Sequence, residues 1–248
     1  MARMLRMLHD FMTTPFSQLI LFLVLLFVTR PYDRGMVYSS VWQLLFAAVV
    51  LMGIYNAHHH DRVKMAATLV GLPSVVLGWF ALFFHSYPLI LMHVGCTIVY
   101  IFIVAASIIS RVILTASVTP ETLRGTIVVY FLMAFGFSFI YYFVELVYPG
   151  SFRLLYADPS FFTHTRYLSE MMYFSFVTLL TIGYGDMTPR GDVAQTLAIL
   201  EGICGTFYVA LLVSRLVSVY TWLAHQQESF GKKARRIKKT PTTPTQNP

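Results

Sequence analysis

From Pro88 to Ser110 the chain runs without a single Lys, Arg, Asp or Glu. A stretch of that kind matches the ~20 apolar residues that a helix needs to cross a bilayer. Similar runs recur along the chain and give six candidate spans: Pro15 to Thr29, Val37 to Tyr55, Met65 to Phe84, Pro88 to Ser110, Leu123 to Tyr148 and Val193 to Leu223. Thr14 is a candidate N-cap with Pro15 at the first helical position. Gly71, Pro73 and Gly78 are expected kink points of the third span, since proline removes a backbone donor. Composition agrees with this pattern. Of 248 residues, 57% are hydrophobic and 12% charged, and mean hydropathy is +0.66. Soluble domains carry about 25% charged residues, so a soluble enzyme is excluded. The 21 Phe and 15 Tyr exclude a disordered chain. Cys96 and Cys204 both lie in apolar runs and do not form a disulfide framework.

The net charge of +7 follows from topology rather than nucleic-acid binding. With the N-terminus in the cytoplasm, Arg3, Arg6, Arg62, Lys64, Arg111, Arg124, Arg215 and the basic run from Lys232 to Lys239 fall inside. Arg30, Arg34, Arg153, Arg166 and Arg190 fall outside. This is the positive-inside distribution. An even number of spans returns the C-terminus to the cytoplasm, as expected of a multi-pass protein of the plasma (inner) membrane. The first run has no small-residue cleavage site after it, because Thr29-Arg30-Pro31 follows, so it is expected to stay as a span.

The segment between the fifth and sixth spans breaks the pattern. Tyr167 to Leu180 is apolar but too short to cross, and Thr181-Ile182-Gly183-Tyr184-Gly185-Asp186 follows it. A short helix running into a Gly-rich strand between two full spans reads as a re-entrant loop. Non-helical backbone at that depth must be buried in protein or line a wet pathway. Successive carbonyls of a regular strand point in opposite directions. Aiming several at one axis requires positive φ at some residues, which Gly183 and Gly185 adopt without steric cost. Ile182 and Tyr184 are then free to pack away from the axis. The carbonyls of Thr181, Ile182, Gly183 and Tyr184, with the Thr181 hydroxyl, can replace the hydration shell of a bare cation. One strand supplies one side of each oxygen ring, so a symmetric oligomer is expected. The C-terminal end of the short helix, near Thr178, carries partial negative charge that also favours a cation.

The run Thr178-Leu179-Leu180-Thr181-Ile182-Gly183-Tyr184-Gly185-Asp186 resembles the signature of potassium channels of the six-transmembrane, voltage-gated-like superfamily. The resemblance covers about Leu123 to Leu223. It implies an all-α membrane protein with six transmembrane helices, a re-entrant pore helix and selectivity filter between helices five and six, and a homotetrameric assembly. It implies K⁺ coordination by Thr181, Ile182, Gly183, Tyr184 and Gly185, with Asp186 at the outer mouth and no organic cofactor. Tyr173 and Phe174 stand where many relatives carry paired Trp residues that cuff the filter. Glu145 matches a Glu that supports the outer pore, and Gly205 matches the hinge glycine of the inner helix. Thr206, Val209, Val213 and Val217 fall on the cavity-facing register of that helix. Val213 or Val217 is a candidate inner gate that closes by dewetting.

Residues 15–110 correspond to the four leading helices of such channels, residues 111–122 to a cytoplasmic linker and 123–223 to the pore. Residues 1–14 form a cytoplasmic N-terminus and residues 224–248 a basic, disordered tail. The fourth span carries no Arg or Lys before Arg111, so strong voltage gating is not expected. His93 is the ionisable group within that span and reads as a hydrogen-bonded bundle residue ahead of a proton sensor. His58-His59-His60 reads as a solvated loop, with Zn²⁺ binding or titration as the sharper alternative. Glu201, an acid within the sixth span, is expected to face the protein interior and brace the pore helix from behind the filter. The Lys232 to Lys239 cluster is a topology determinant, with anionic lipid as a candidate partner. The reading is therefore a passive, potassium-selective channel. The alternatives are a non-selective cation channel and a non-conducting membrane subunit. No nucleotide-binding domain fits after the sixth span, and no enzymatic motif is present.

Overall fold

In the computed structural model the described residues are helical apart from one two-stranded ribbon and the turns between elements. It describes residues 14–29, 36–57, 61–84, 86–114, 120–153 and 164–239, without the side chains of residues 113, 114, 120, 164–166, 215, 216 and 218–239. The elements are α1 (Pro15–Val28), α2 (Met36–Asn56), α3 (Asp61–Phe84), α4 (Tyr87–Leu114), α5 (Pro120–Val147), β1 (Phe152–Arg153), α6 (His164–Leu179), β2 (Thr188–Pro189) and α7 (Asp192–Lys239). Five of these helices, α2 to α5 and α7, are long and apolar enough to cross a membrane. The chain divides into two compact units, Met1–Tyr208 and Val209–Pro248.

The first candidate span is shorter than a membrane requires. Helix α1 has 14 residues, which rise about 21 Å against a hydrocarbon core of about 30 Å. Its ends explain the length. Pro15 starts it from an extended Thr14. Thr29 closes it, donating from both its N–H (2.9 Å) and its hydroxyl (2.6 Å) to Leu25 O. Pro31 then disfavours helical backbone at the residue before it. Thr14 caps by backbone alone. Its hydroxyl pairs with Ser17 Oγ (2.6 Å) rather than with a helix N–H.

The expected kinks of α3 do not interrupt it, for the helix is continuous through Pro73. Gly71 and Gly78 instead make room for side chains from neighbouring helices. A Cβ on Gly71 would lie 2.8 Å from the Tyr100 ring, and one on Gly53 would collide with the Tyr100 hydroxyl. Tyr100 therefore sits in a notch between α2 and α3, and its hydroxyl donates to Val50 O at 2.8 Å. A Cβ on Gly78 would collide with Gln43 and His93. His93 is buried as expected, with Nδ1 2.8 Å from Ser74 O and its ring edge-on to Phe46 and Phe139.

Two of the leading helices, α1 and α4, pack on the α5 of their own chain. Helix α4 lies along α5, and α1 packs on both α2 and α5. Phe27 of α1 reaches Phe176 of α6, with ring centroids 4.3 Å apart. At one end of this assembly Arg111 pairs with Glu121 (3.1 Å) and lies over the Phe16 ring, while Arg124 donates to Thr14 Oγ1 (2.8 Å). Within the expected linker of residues 111–122 the described residues are helical, because α4 continues to Leu114 and α5 begins at Pro120. The last helix also exceeds its expected end. Helix α7 runs to Lys239, which corrects the expectation of disorder from residue 224 to that point. Its Lys, Arg, Gln, Glu and Ala content explains the continuation, since these are strong helix formers. His58–His60, residues 1–13 and residues 240–248 lie outside the described residues.

Candidate functional site

The site is built where α6 ends. The last turn of α6 is closed by two bonds, Thr181 N–H to Thr178 O (2.9 Å) and Ile182 N–H to Val177 O (2.9 Å). This is the Schellman pattern, which places a left-handed residue just past the helix. Glycine usually fills that position. Here it is Thr181, with φ of 56°, in a region that costs a β-branched residue roughly 1–2 kcal/mol. Two further left-handed residues follow at alternate positions, Gly183 (φ 59°) and Gly185 (φ 76°). Nothing lies within 4 Å of a Cβ built on either glycine, so their constraint is conformational and not spatial. Ile182 and Tyr184, expected to pack away from an axis, are 46% and 67% exposed. The described residues do not bury them.

The segment leaves through Asp186, which is held at both oxygens. Tyr173 donates its hydroxyl to Oδ2 (2.5 Å) and the Met187 N–H donates to Oδ1 (2.9 Å). Beyond it, β2 pairs antiparallel with β1, Phe152 opposite Pro189 and Arg153 opposite Thr188. Glu145 fixes the turn before β1, accepting from Gly150 N–H (2.8 Å) and Phe152 N–H (3.1 Å). The Arg190 N–H donates to Ser151 O at 2.8 Å. Glu145 is thus tied through the turn of residues 148–151 to the strand that follows Asp186. Phe174 is buried with Tyr141 and Phe152 in a three-ring cluster, with centroids 5.1 to 5.4 Å apart.

Glu201 of α7 is completely buried. The Tyr141 hydroxyl of α5 lies 2.5 Å from its Oε2, and the Ser175 hydroxyl of α6 lies 2.5 Å from its Oε1. One carboxyl group therefore joins α5, α6 and α7. One turn further along α7, Gly205 passes over the end of α6. A Cβ there would lie 2.7 Å from Leu179 Cδ1 and 3.1 Å from Leu179 O. The sequence suggests a hinge at Gly205, and the structure adds a close approach to Leu179 that a larger residue would enter only by displacing it. The same Leu179 carbonyl accepts from the Tyr130 hydroxyl at 3.1 Å. Thr206 donates to Gly202 O within its own helix. Val209, Val213 and Val217 are exposed in the second unit. Among the described residues no cluster of three or more His, Cys, Asp or Glu could hold a metal ion.

Three features were missed from sequence: the left-handed Thr181, the Ser175–Glu201–Tyr141 junction and the Tyr130 bond to Leu179. A β-branched residue gives no signal for positive φ. Ser175 and Tyr141 do follow the expected rule that a buried acid has a polar partner, but spacing alone does not pair them.

Comparison with known proteins places this geometry in a class. The profile of a family described as "Ion channel" matches residues 151–221, the stretch from the turn before β1 into α7. The chain is 31% identical over 114 residues to Protein LctB of Bacillus caldotenax, covering 45% of this chain and 81% of LctB. It is 37% identical over 65 residues to the inward rectifier potassium channel Kirbac3.1 of Paramagnetospirillum magnetotacticum, covering 26% of this chain and 20% of that protein. It is 36% identical over 70 residues to the two pore potassium channel a of Oryza sativa subsp. japonica, covering 28% of this chain and 19% of that protein. The chain thus spans only about a fifth of the length of these two potassium channels. A helical protein with five membrane-capable helices and this matching segment is an ion channel and an integral multi-pass membrane protein, not an enzyme. The chain belongs to the potassium-channel pore-domain family.

Proposed function

We propose that this protein is a homotetrameric, potassium-selective channel that carries K⁺ passively across the plasma membrane, with both termini in the cytoplasm. The observation that carries this reading is the alternation of left-handed residues at Thr181, Gly183 and Gly185 directly beyond a capped short helix. With Ile182 and Tyr184 between them outside the left-handed region, that alternation turns successive carbonyls toward one side. The oxygens of Thr181, Ile182, Gly183 and Tyr184 then form the stacked K⁺ sites, and Gly185 completes the strand. Helix α6 acts as the pore helix, its C-terminal carbonyls directed toward the central cavity.

A second copy of the chain supplies what one copy lacks. Ile182 and Tyr184 are exposed, and α7 carries an exposed apolar stripe at Ile199, Ile203, Phe207 and Leu211. Exposed apolar surface of that extent calls for a partner or for lipid. Four copies around one axis bury both. By the register of the family's inner helix, Thr206, Val209, Val213 and Val217 of α7 line the pathway, with Val213 or Val217 as the constriction. Helices α1 to α4 form a peripheral domain whose fourth helix carries no Lys or Arg before Arg111, so gating depends weakly on membrane potential. Helix α1 completes six crossings with the aid of local bilayer thinning. The basic run Lys232 to Lys239 lies at the cytoplasmic surface, where anionic lipid attracts it.

The test is K⁺ efflux from liposomes holding the purified protein, with Ba²⁺ as blocker. Wild-type protein releases K⁺ and Ba²⁺ stops it. Gly185→Ala abolishes efflux, since alanine at φ of 76° is strained. Efflux that survives both Ba²⁺ and Gly185→Ala would refute the assignment.

A further inference from the structure

We propose that Glu201 is held as a neutral carboxylic acid, and that its proton positions Ser175 and with it the pore helix. The proposal deepens the channel reading and rests on it for the role in permeation. Counting hydrogens at the junction leads to it. The Ser175 oxygen lies 2.7 Å from Ala134 O and 2.5 Å from Glu201 Oε1. A serine hydroxyl has one proton to give. If Glu201 were ionised, one of those two contacts would press two lone-pair oxygens together with no hydrogen between them. Ser138 Oγ, 2.6 Å from the same Ala134 carbonyl, cannot relieve this, because its proton occupies its own contact. Tyr141 spends its single proton on Oε2. A proton on Oε1 resolves the account. Glu201 then donates to Ser175, Ser175 donates to Ala134 O, and Tyr141 donates to Glu201, so every short contact holds one hydrogen.

Burial points the same way. Glu201 is fully enclosed, and a carboxylate there would need a compensating cation. Among the described residues no ion pair involves Glu201. The titratable groups facing it are the phenols Tyr141 and Tyr130 from α5, while α6 presents the neutral Ser175. On its own helix the nearest titratable group is Cys204, an exposed thiol. None is a cation at neutral pH. Ser175 lies two positions before Val177, whose carbonyl closes the Schellman turn onto Ile182. The proton therefore sets the position of the helix end that fixes the first left-handed residue of the filter. Glu201 touches no permeating ion and is a positioning residue.

The experiment uses the full chain in liposomes and three readouts on wild type, Glu201→Gln and Glu201→Ala. Glutamine supplies a donor and an acceptor at the same places but cannot ionise. The infrared difference spectrum, wild type minus Glu201→Gln, is expected to show the carbonyl stretch of a protonated carboxyl group at neutral pH. Glu201→Gln is expected to keep K⁺ efflux within about twofold, and Glu201→Ala to lose at least about tenfold, as buried hydroxyls lose their partner. On alkaline titration, wild-type efflux falls as the band disappears, and Glu201→Gln stays flat. A carboxylate signal at neutral pH, a band that titrates with no change in efflux, or a Glu201→Gln loss equal to that of Glu201→Ala would each overturn the proposal. If no protein carries K⁺, wild type included, the channel reading fails, while the infrared band still decides the protonation of Glu201.

Discussion

Tyr173 donates its hydroxyl to Asp186 Oδ2 at 2.5 Å, so the short helix α6 grips the chain on the far side of the Gly-rich segment that it precedes. The bond spans the proposed filter from behind, and the Met187 N–H completes the hold on the same carboxylate. Tyr173→Phe keeps the ring and removes this bond. The pair is exposed, so the expected loss of thermal stability is small, about 1 kcal/mol or less. The expected effect on conduction is larger. In patches or bilayers Tyr173→Phe should lose current in low external K⁺ faster than wild type, and equal rates of current loss would show that the bond does not hold the filter.

Glu145 accepts from two backbone N–H groups of the turn that leads into β1. Removing it leaves both donors without their acceptor at a largely buried site. Glu145→Ala should destabilise the protein by about 2–4 kcal/mol, with the lost order concentrated in residues 150–153 and 186–191. Hydrogen exchange of those amides measures this. Protection equal to wild type at Gly150 and Phe152 would contradict it.

Gly205 approaches Leu179 so closely that a single added methyl must displace it. Gly205→Ala should cost about 1–3 kcal/mol through overpacking, and less than that when made in a Leu179→Ala background, where the crowded side chain is gone. A flexible hinge alone predicts the same cost in both backgrounds. Thermal melts of wild type, the two single variants and the double variant separate the two roles.

Tyr100 joins three helices through one hydroxyl and the notch at Gly53 and Gly71. Tyr100→Phe should cost about 1 kcal/mol, the value of one buried hydrogen bond. Gly53→Ala should cost more, since the new methyl meets the hydroxyl itself. If α4 slid as a voltage sensor must, this seat would have to empty. Current–voltage curves of wild type should therefore show no steep voltage dependence.

Much of this architecture was legible because the bilayer imposes a simple rule on long apolar runs. Helices α2 to α5 and the start of α7 follow directly from uninterrupted apolar residues, and the break before Thr181 from their absence. The end of α1 was legible at Pro31, but its shortfall against the membrane depends on where a helix with Thr at each end stops. The far end of α7 was misread because high charge suggests a solvated coil, whereas Lys, Arg and Ala also favour helix. At the site, glycine positions spoke for themselves through their backbone freedom. Thr181 did not, because its left-handed turn is set by the Schellman bonds around it rather than by its own preference. The partners of Glu201 were hidden for another reason. Ser175 and Tyr141 lie on separate helices, and only packing brings three helices to one carboxyl group.

The central claim is that the oxygens of Thr181 to Tyr184 select K⁺ over Na⁺. The reversal potential of the purified channel, with K⁺ on one side of a bilayer and Na⁺ on the other, tests it most directly. The account predicts a reversal displaced far toward the potential that opposes K⁺ flow, and a reversal near zero would contradict it.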